Sequence, residues 1–151
     1  MSERSVEHGT FVVERVYDAS PERTFAAWSD PQAKARWYNG SEGDYELDFR
    51  VGGWERHHGV APDGRGYAYQ ARFWDIVPLR RIVYTYDMLV NGTRISVSVA
   101  TAEFKPEGDG TRLVFTEQGA FFDGHEVPSQ RQHGMGGLLD SLGRWLESSR
   151  R

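Results

Sequence analysis

RIVYTYDMLVNGTRISVSVATAEF, residues 81–104, is the stretch whose reading decides the fold. Each half alternates in side-chain character with the period of a β-strand. In the first half the even positions Ile82, Tyr84, Tyr86 and Met88 are the bulkier set. In the second half Ile95, Val97 and Val99 stand apolar against Ser96 and Ser98. Between them, Asn91-Gly92 is the pair that a two-residue hairpin turn selects, because both of its residues take positive φ. Asn91-Gly92-Thr93 also matches a glycosylation acceptor, but Asn-Gly between two strands is better explained as a turn. The stretch predicts an antiparallel hairpin with one apolar face.

Outward from this hairpin the same grammar continues. YELDFR (45–50), WERHHGV (54–60), YAYQARFWDIV (67–77) and TRLVFTEQGAF (111–121) are strand-like. APDGRG, PLRR and PEGDG supply the Gly, Pro and Asp of tight turns between them. FVVERVYD (11–18) reads as a first strand. Ser20 then offers an N-cap with Pro21 at the first helical position, although Arg23 stands where a capping-box Glu would serve better. ERTFAAWS forms a helix, Asp30-Pro31 repeats the start signal, QAKARWY forms a second short helix, and GSEG (40–43) breaks the pattern. From about Glu126 to Ser149 the apolar residues return to helical spacing, giving a rod about 36 Å long. Antiparallel strands joined by short hairpins need cover for their apolar face, and this terminal helix is the one element long enough to provide it. Four glycines interrupt the rod: Gly134, Gly136, Gly137 and Gly143. Each costs roughly 1 kcal/mol against Ala in a helix interior. They permit close helix–sheet contact or leave free volume for a ligand.

Composition narrows the function. Trp 5, Tyr 7 and Phe 8 make 13% of the 151 residues, a supply of rings that serves cores and pockets alike. With 18 basic against 22 acidic residues the net charge is -4, which argues against a nucleic-acid partner. The absence of cysteine removes disulfides, thiolate catalysis and zinc–thiolate sites. The N-terminus has no apolar run of signal-peptide length, and nothing reaches the roughly 18 apolar residues of a membrane helix. The expectation is one cytoplasmic domain spanning residues 1–151, without membrane insertion, monomeric or homodimeric. His57 and His58 project to opposite strand faces, and no His or carboxylate cluster has ligand spacing, so neither a metal nor any other cofactor is expected.

The run VERVYDASPERTFAAWSDPQAKARWY resembles the opening signature of the SRPBCC superfamily, in particular of proteins similar to the activator of the heat-shock-protein-90 ATPase. Its marks here are Asp18, Ala19, Ser20, Trp28, Asp30, Pro31, Trp37 and Tyr38. Arg50-Val-Gly-Gly53, Ile76-Val-Pro78, Arg81-Ile-Val-Tyr84-Thr85, Gly110-Thr-Arg-Leu113 and the closing GMGGLLDSLGRWL extend the likeness over nearly the whole chain. The resemblance implies an α+β helix-grip (START-like) fold: a curved seven-stranded antiparallel sheet wrapped around the C-terminal helix, two short helices after the first strand, and a cavity between sheet and helix. Met135 departs from the family pattern, which usually places Trp there; a thinner, flexible side chain would enlarge or reshape the pocket. The co-chaperone's activity also involves a separate N-terminal domain for which these residues leave no room, so that activity is not carried over.

The leading functional expectation is the binding of a small apolar or amphipathic molecule in an aromatic-lined cavity. Strand alternation and the helical stripe nominate Trp37, Tyr69, Phe73, Tyr84, Tyr86, Val97, Phe115, His133, Met135, Leu138, Leu139 and Leu142 as its lining. The alternative is an enzyme of the cyclase, dehydratase or hydrolase kind using Glu55, His57 or Glu117 as acid–base groups. A third class is a protein-interaction module. Strand 54–60 stays open in orientation: burial of the largest ring turns Trp54, Arg56 and His58 inward, whereas the family register turns Glu55 and His57 inward. Glu117, in a face with Leu113 and Phe115, must pair if buried, with Arg94 or Arg112, or meet a ligand.

Overall fold

The computed structural model describes residues 4–39 and 44–150, so the turn read at GSEG lies outside the described residues. Seven strands form one antiparallel sheet: β1 (Val6–Tyr17), β2 (Asp44–Leu47), β3 (Trp54–Val60), β4 (Gly66–Val77), β5 (Arg81–Val90), β6 (Thr93–Glu107) and β7 (Gly110–Phe122). Their spatial order is β1-β7-β6-β5-β4-β3-β2. Strands β2 to β7 form a meander in which each lies beside the next, and β1 closes the far side by pairing with β7 from Val6↔Phe122 to Tyr17↔Thr111. Asn91 and Gly92 take φ of 50° and 80°, the left-handed pair that the β5–β6 hairpin requires.

Between β1 and β2 run α1 (Pro21–Ser29) and α2 (Pro31–Lys34), and α2 continues into a π-helical turn over Ala35–Asn39. Both starts are capped as the sequence expects. The Ser20 hydroxyl accepts from the Arg23 N–H at 3.1 Å, and the Asp30 carboxylate accepts from the Gln32 N–H at 3.1 Å. Helix α3 (Pro128–Ser148) begins with Pro at its first position, and Gln130 reaches back to accept from the Val127 N–H at 2.9 Å.

Met135, Leu139, Leu142 and Leu146 make the buried stripe of α3. The helix leans on β1: the Tyr17 hydroxyl donates to the Leu139 carbonyl at 2.7 Å, and Arg15 donates to Asp140 at 2.7 Å. On its other flank Ser141 donates to the Trp37 carbonyl at 3.1 Å. Sheet, α3 and the short helices thus enclose one interior.

The glycines divide between two roles. A methyl on Gly136 would stand 3.0 Å from the Arg15 guanidinium and one on Gly143 3.2 Å from the Tyr17 ring, so these two let α3 approach β1 closely. Gly134 and Gly137 are exposed, with open space where a side chain would be. None of the four leaves volume inside. Gly134→Ala and Gly137→Ala are therefore expected to stabilise the fold by roughly 1 kcal/mol each, since helix propensity is gained and nothing is crowded. Urea unfolding of the double variant checks this, and an unchanged midpoint would contradict it.

Strand β6 departs from the simple alternation. Ile95 is buried, but the next inward residues are Ser96, Ser98, Ala100 and Ala102, while Val97 and Val99 lie on the outer face at 43% and 39% exposure. The cause is a bulge: Met88 pairs with Ser96 and Leu89 with Arg94, leaving Ile95 as an extra residue. A one-residue offset turns every later side chain to the opposite face. The small inward residues of β6 sit opposite the large ones of β5: Ser98 faces Tyr86, Ala100 faces Tyr84 and Ala102 faces Ile82. Close packing demands that complementarity, because two bulky rows would overfill the interior.

Candidate functional site

The interior between sheet and α3 is aromatic, as expected, and it also contains two clusters of buried charge. The first is built by α2 and β3. Asp30 and Pro31 start α2 so that Lys34 emerges on the same face as Trp37, one turn later, and both side chains are buried. On β3, Glu55 points inward and Trp54 stands on the outer face with the Arg56 guanidinium stacked 4.0 Å from its ring. The family register is therefore correct for this strand, and burial of its largest ring is not. Lys34 Nζ donates to Glu55 Oε1 at 2.8 Å, and both side chains are 0% exposed. Tyr45 donates to Glu55 Oε2 at 2.5 Å and Tyr69 to Oε1 at 3.4 Å. The ammonium is caged by rings, 4.9 Å from the centroid of Trp28, 4.7 Å from Tyr38 and 5.8 Å from Tyr84. Burial pushes the Lys34 pKa down against the opposing pull of Glu55.

The second cluster joins β7, β6, β5 and the first turns of α3. Tyr86 donates to Glu117 Oε2 at 2.6 Å, and Arg131 Nη1 donates to the Tyr86 oxygen at 2.8 Å and to Glu117 Oε2 at 3.4 Å. Arg131 Nη2 donates to Ser96 at 2.8 Å and to Glu126 Oε1 at 2.9 Å, and Nε donates to Glu126 Oε2 at 2.9 Å. Glu117 thus pairs with Arg131 and not with the two arginines nominated by sequence. Arg94 lies outside on Asp87, and Arg112 outside on Glu14. Among the described residues Glu117 Oε1 and the Ser98 hydroxyl are buried without a full hydrogen-bond partner, although Ser98 is near enough to favour the carboxylate charge. The Tyr69 and Tyr86 rings, 5.0 Å apart, join the two clusters.

Burial pushes the Glu117 pKa up from its ordinary 4.5. In the window above 4.5 the folded state then holds more protons than the unfolded one, so stability falls as pH rises. The stability of Glu117→Gln relative to the native chain is expected to increase with pH from about 4.5 upward. Urea melts across that range measure it, and a flat or falling difference would contradict it.

Of the nominated lining residues, Trp37, Tyr69, Phe73, Tyr84, Tyr86, Phe115, Met135, Leu139 and Leu142 are buried in one core, with Leu138 packed against it. Val97 is not inside, for the reason of the β6 bulge, and His133 is exposed on the outer flank of α3. The cavity expected between sheet and helix is not open among the described residues. Fully buried Phe73, Tyr84, Phe115, Leu139 and Leu142 occupy that space, and several hollows among the described residues lie elsewhere. One, of about 400 Å3, is a groove on the outer sheet face between Trp54, Arg56, Arg72 and Val97. Another, of about 350 Å3, runs between β1 and α3 and includes His133. Among the acid–base candidates, Glu55 has both oxygens engaged, and half-buried His57 lies with its Nε2 3.2 Å from the Tyr67 hydroxyl. Sequence reading missed Lys34 and Arg131. Both left a trace: Lys34 precedes Trp37 by three residues and Arg131 precedes Met135 by four, so each lies on a buried helix face.

Residues 18–147 match the family described as Activator of Hsp90 ATPase homolog 1-like protein. The chain belongs to this family. It is part of the SRPBCC superfamily, and the helix-grip architecture is the one observed. Two solved structures support the assignment at 44% identity. A protein of Rhizobium leguminosarum superposes with a TM-score of 0.92, over 98% of this chain and 100% of that one. The Mll3558 protein of Rhizobium loti gives 0.88, over 93% and 99%. CalU16 of Micromonospora echinospora, at 20% identity, shares the fold with a TM-score of 0.69 over 97% of this chain and 86% of its own. No curated protein matches. Among the described residues no helix is long and apolar enough to cross a membrane.

Proposed function

We propose that this family member binds a small amphipathic molecule between the sheet and α3. The observation that carries the proposal is the charge inside: Lys34, Glu55, Glu117 and Arg131 are all buried among tyrosine and tryptophan rings. Apolar residues of similar volume fill such space with equal or better stability. Buried ionisable groups with displaced pKa values are concentrated at working sites, where they orient a polar group of a ligand. Aromatic walls with a few fixed polar groups are the usual make-up of a small-molecule site. Because the interior is packed, binding includes an opening step, and the observed association rate should level off with ligand concentration.

Native mass spectrometry of protein purified from its source tests the proposal. One bound small molecule per chain, released on denaturation, is the expected result. The bare chain mass, together with a melting temperature that no member of an amphipathic panel raises, would overturn it.

A further inference from the structure

Resting on the interior site proposed above, we infer that Glu117 Oε1 and Ser98 Oγ together form a subsite for the neutral hydroxyl group of the ligand, an alcohol or phenol. Both side chains are at most 1% exposed, and among the described residues neither of these atoms makes a full hydrogen bond, the Ser98 hydroxyl lying only near enough to Glu117 to favour its charge. They project to the inner face from adjacent strands, Glu117 from β7 and Ser98 from β6, with Ala100 opposite Glu117 and Gly119 opposite Ser98. No side chain fits at Gly119: a Cβ there would stand 2.7 Å from Ser98 Oγ and 3.0 Å from the edge of Phe121.

The chemistry of the pair selects its occupant. A carboxylate only accepts hydrogen bonds, whereas a serine hydroxyl has a proton to donate. A ligand hydroxyl donates to Glu117 and accepts from Ser98 at once. A ketone oxygen accepts from Ser98 but leaves Glu117 Oε1 bare. A ligand carboxylate meets Glu117 as a like charge, and Arg131 has nothing to offer it. The five guanidinium N–H groups are spent on Glu126 twice and on Ser96, Tyr86 and Glu117 once each. An alkylammonium would place a second cation beside that guanidinium. Burial raises the Glu117 pKa, and a hydroxyl suits the protonated form as well, since it accepts as readily as it donates.

The test uses the intact chain and three probes of one shape, naphthalene, 2-naphthol and 2-naphthoate, titrated by fluorescence. 2-Naphthol should bind about tenfold tighter than naphthalene, the ratio that one net hydrogen bond gives. 2-Naphthoate should bind most weakly. Ser98→Ala should bring the naphthol-to-naphthalene ratio close to one, while its melting temperature is unchanged or higher because an unpaired buried hydroxyl has gone. Equal affinities for naphthol and naphthalene in the native chain, tightest binding of the naphthoate, or a ratio untouched by Ser98→Ala would each overturn the subsite while leaving the interior site standing. Saturable binding by none of the three would overturn the interior site, and the subsite with it.

Discussion

Lys34→Met is expected to destabilise the fold by about 3–5 kcal/mol, because it strands the Glu55 carboxylate, which is fully buried, without its cation. Lys34 and Glu55 are both 0% exposed, and the 2.8 Å bond between them is the cation's contribution to a carboxylate otherwise held by tyrosine hydroxyls. The loss should be recovered in large part by the double variant Lys34→Met/Glu55→Leu, which replaces an ion pair with apolar groups of similar volume. Chemical denaturation of the two single variants and the double variant closes the cycle. A double variant as unstable as the sum of the singles would mean that the charges do not act as a pair.

Arg131→Met should show a comparable loss, about 3–5 kcal/mol at neutral pH, with a different pH signature. The substitution removes partners from Glu117, Glu126, Tyr86 and Ser96 in one step. Without the guanidinium only the hydrogen-bonding influence of Tyr86 and Ser98 still opposes the burial that already raises the Glu117 pKa. The variant's folded state then holds its proton to still higher pH. The sign of the linkage makes its deficit smallest in acid and largest near neutrality. Arg112→Met is the control: its pair with Glu14 is partly exposed, and its removal should cost less than about 1 kcal/mol. A deficit for Arg131→Met that is independent of pH would show that Glu117 is not the group left in difficulty.

The element order, the two proline-led helix starts and the Asn-Gly hairpin were all legible in the chain, because each rests on local chemistry. A cap needs an oxygen before the first turn, and a tight turn needs two residues that tolerate positive φ. The inward rows of β4, β5 and β7 were legible for the same reason: Tyr69, Phe73, Tyr84, Tyr86, Phe115 and Glu117 follow unbroken alternation into the core. Strand β6 defeats that rule at Ile95, where an extra residue changes which face follows. Nothing in TRISVSVA announces it, since Ser96 and Ser98 look like the solvent side until the tyrosines of β5 are set opposite them. The orientation of β3 was open for a related reason: Trp54 buries area inward or outward equally well until Lys34 supplies a partner for Glu55.

By itself, then, the amino-acid sequence determined which segments are strands and helices, in what order they join, and that the last helix must cover the sheet. Propensity, capping and periodicity act within a few residues, so one chain suffices to read them. The buried pairing of Lys34 with Glu55 and of Arg131 with Glu117, the face presented by β6 and the closure of the interior were decided only by tertiary structure. Those outcomes depend on volume and charge contributed by residues up to tens of positions apart, and no local pattern specifies which of several possible partners will be nearest when the chain has closed.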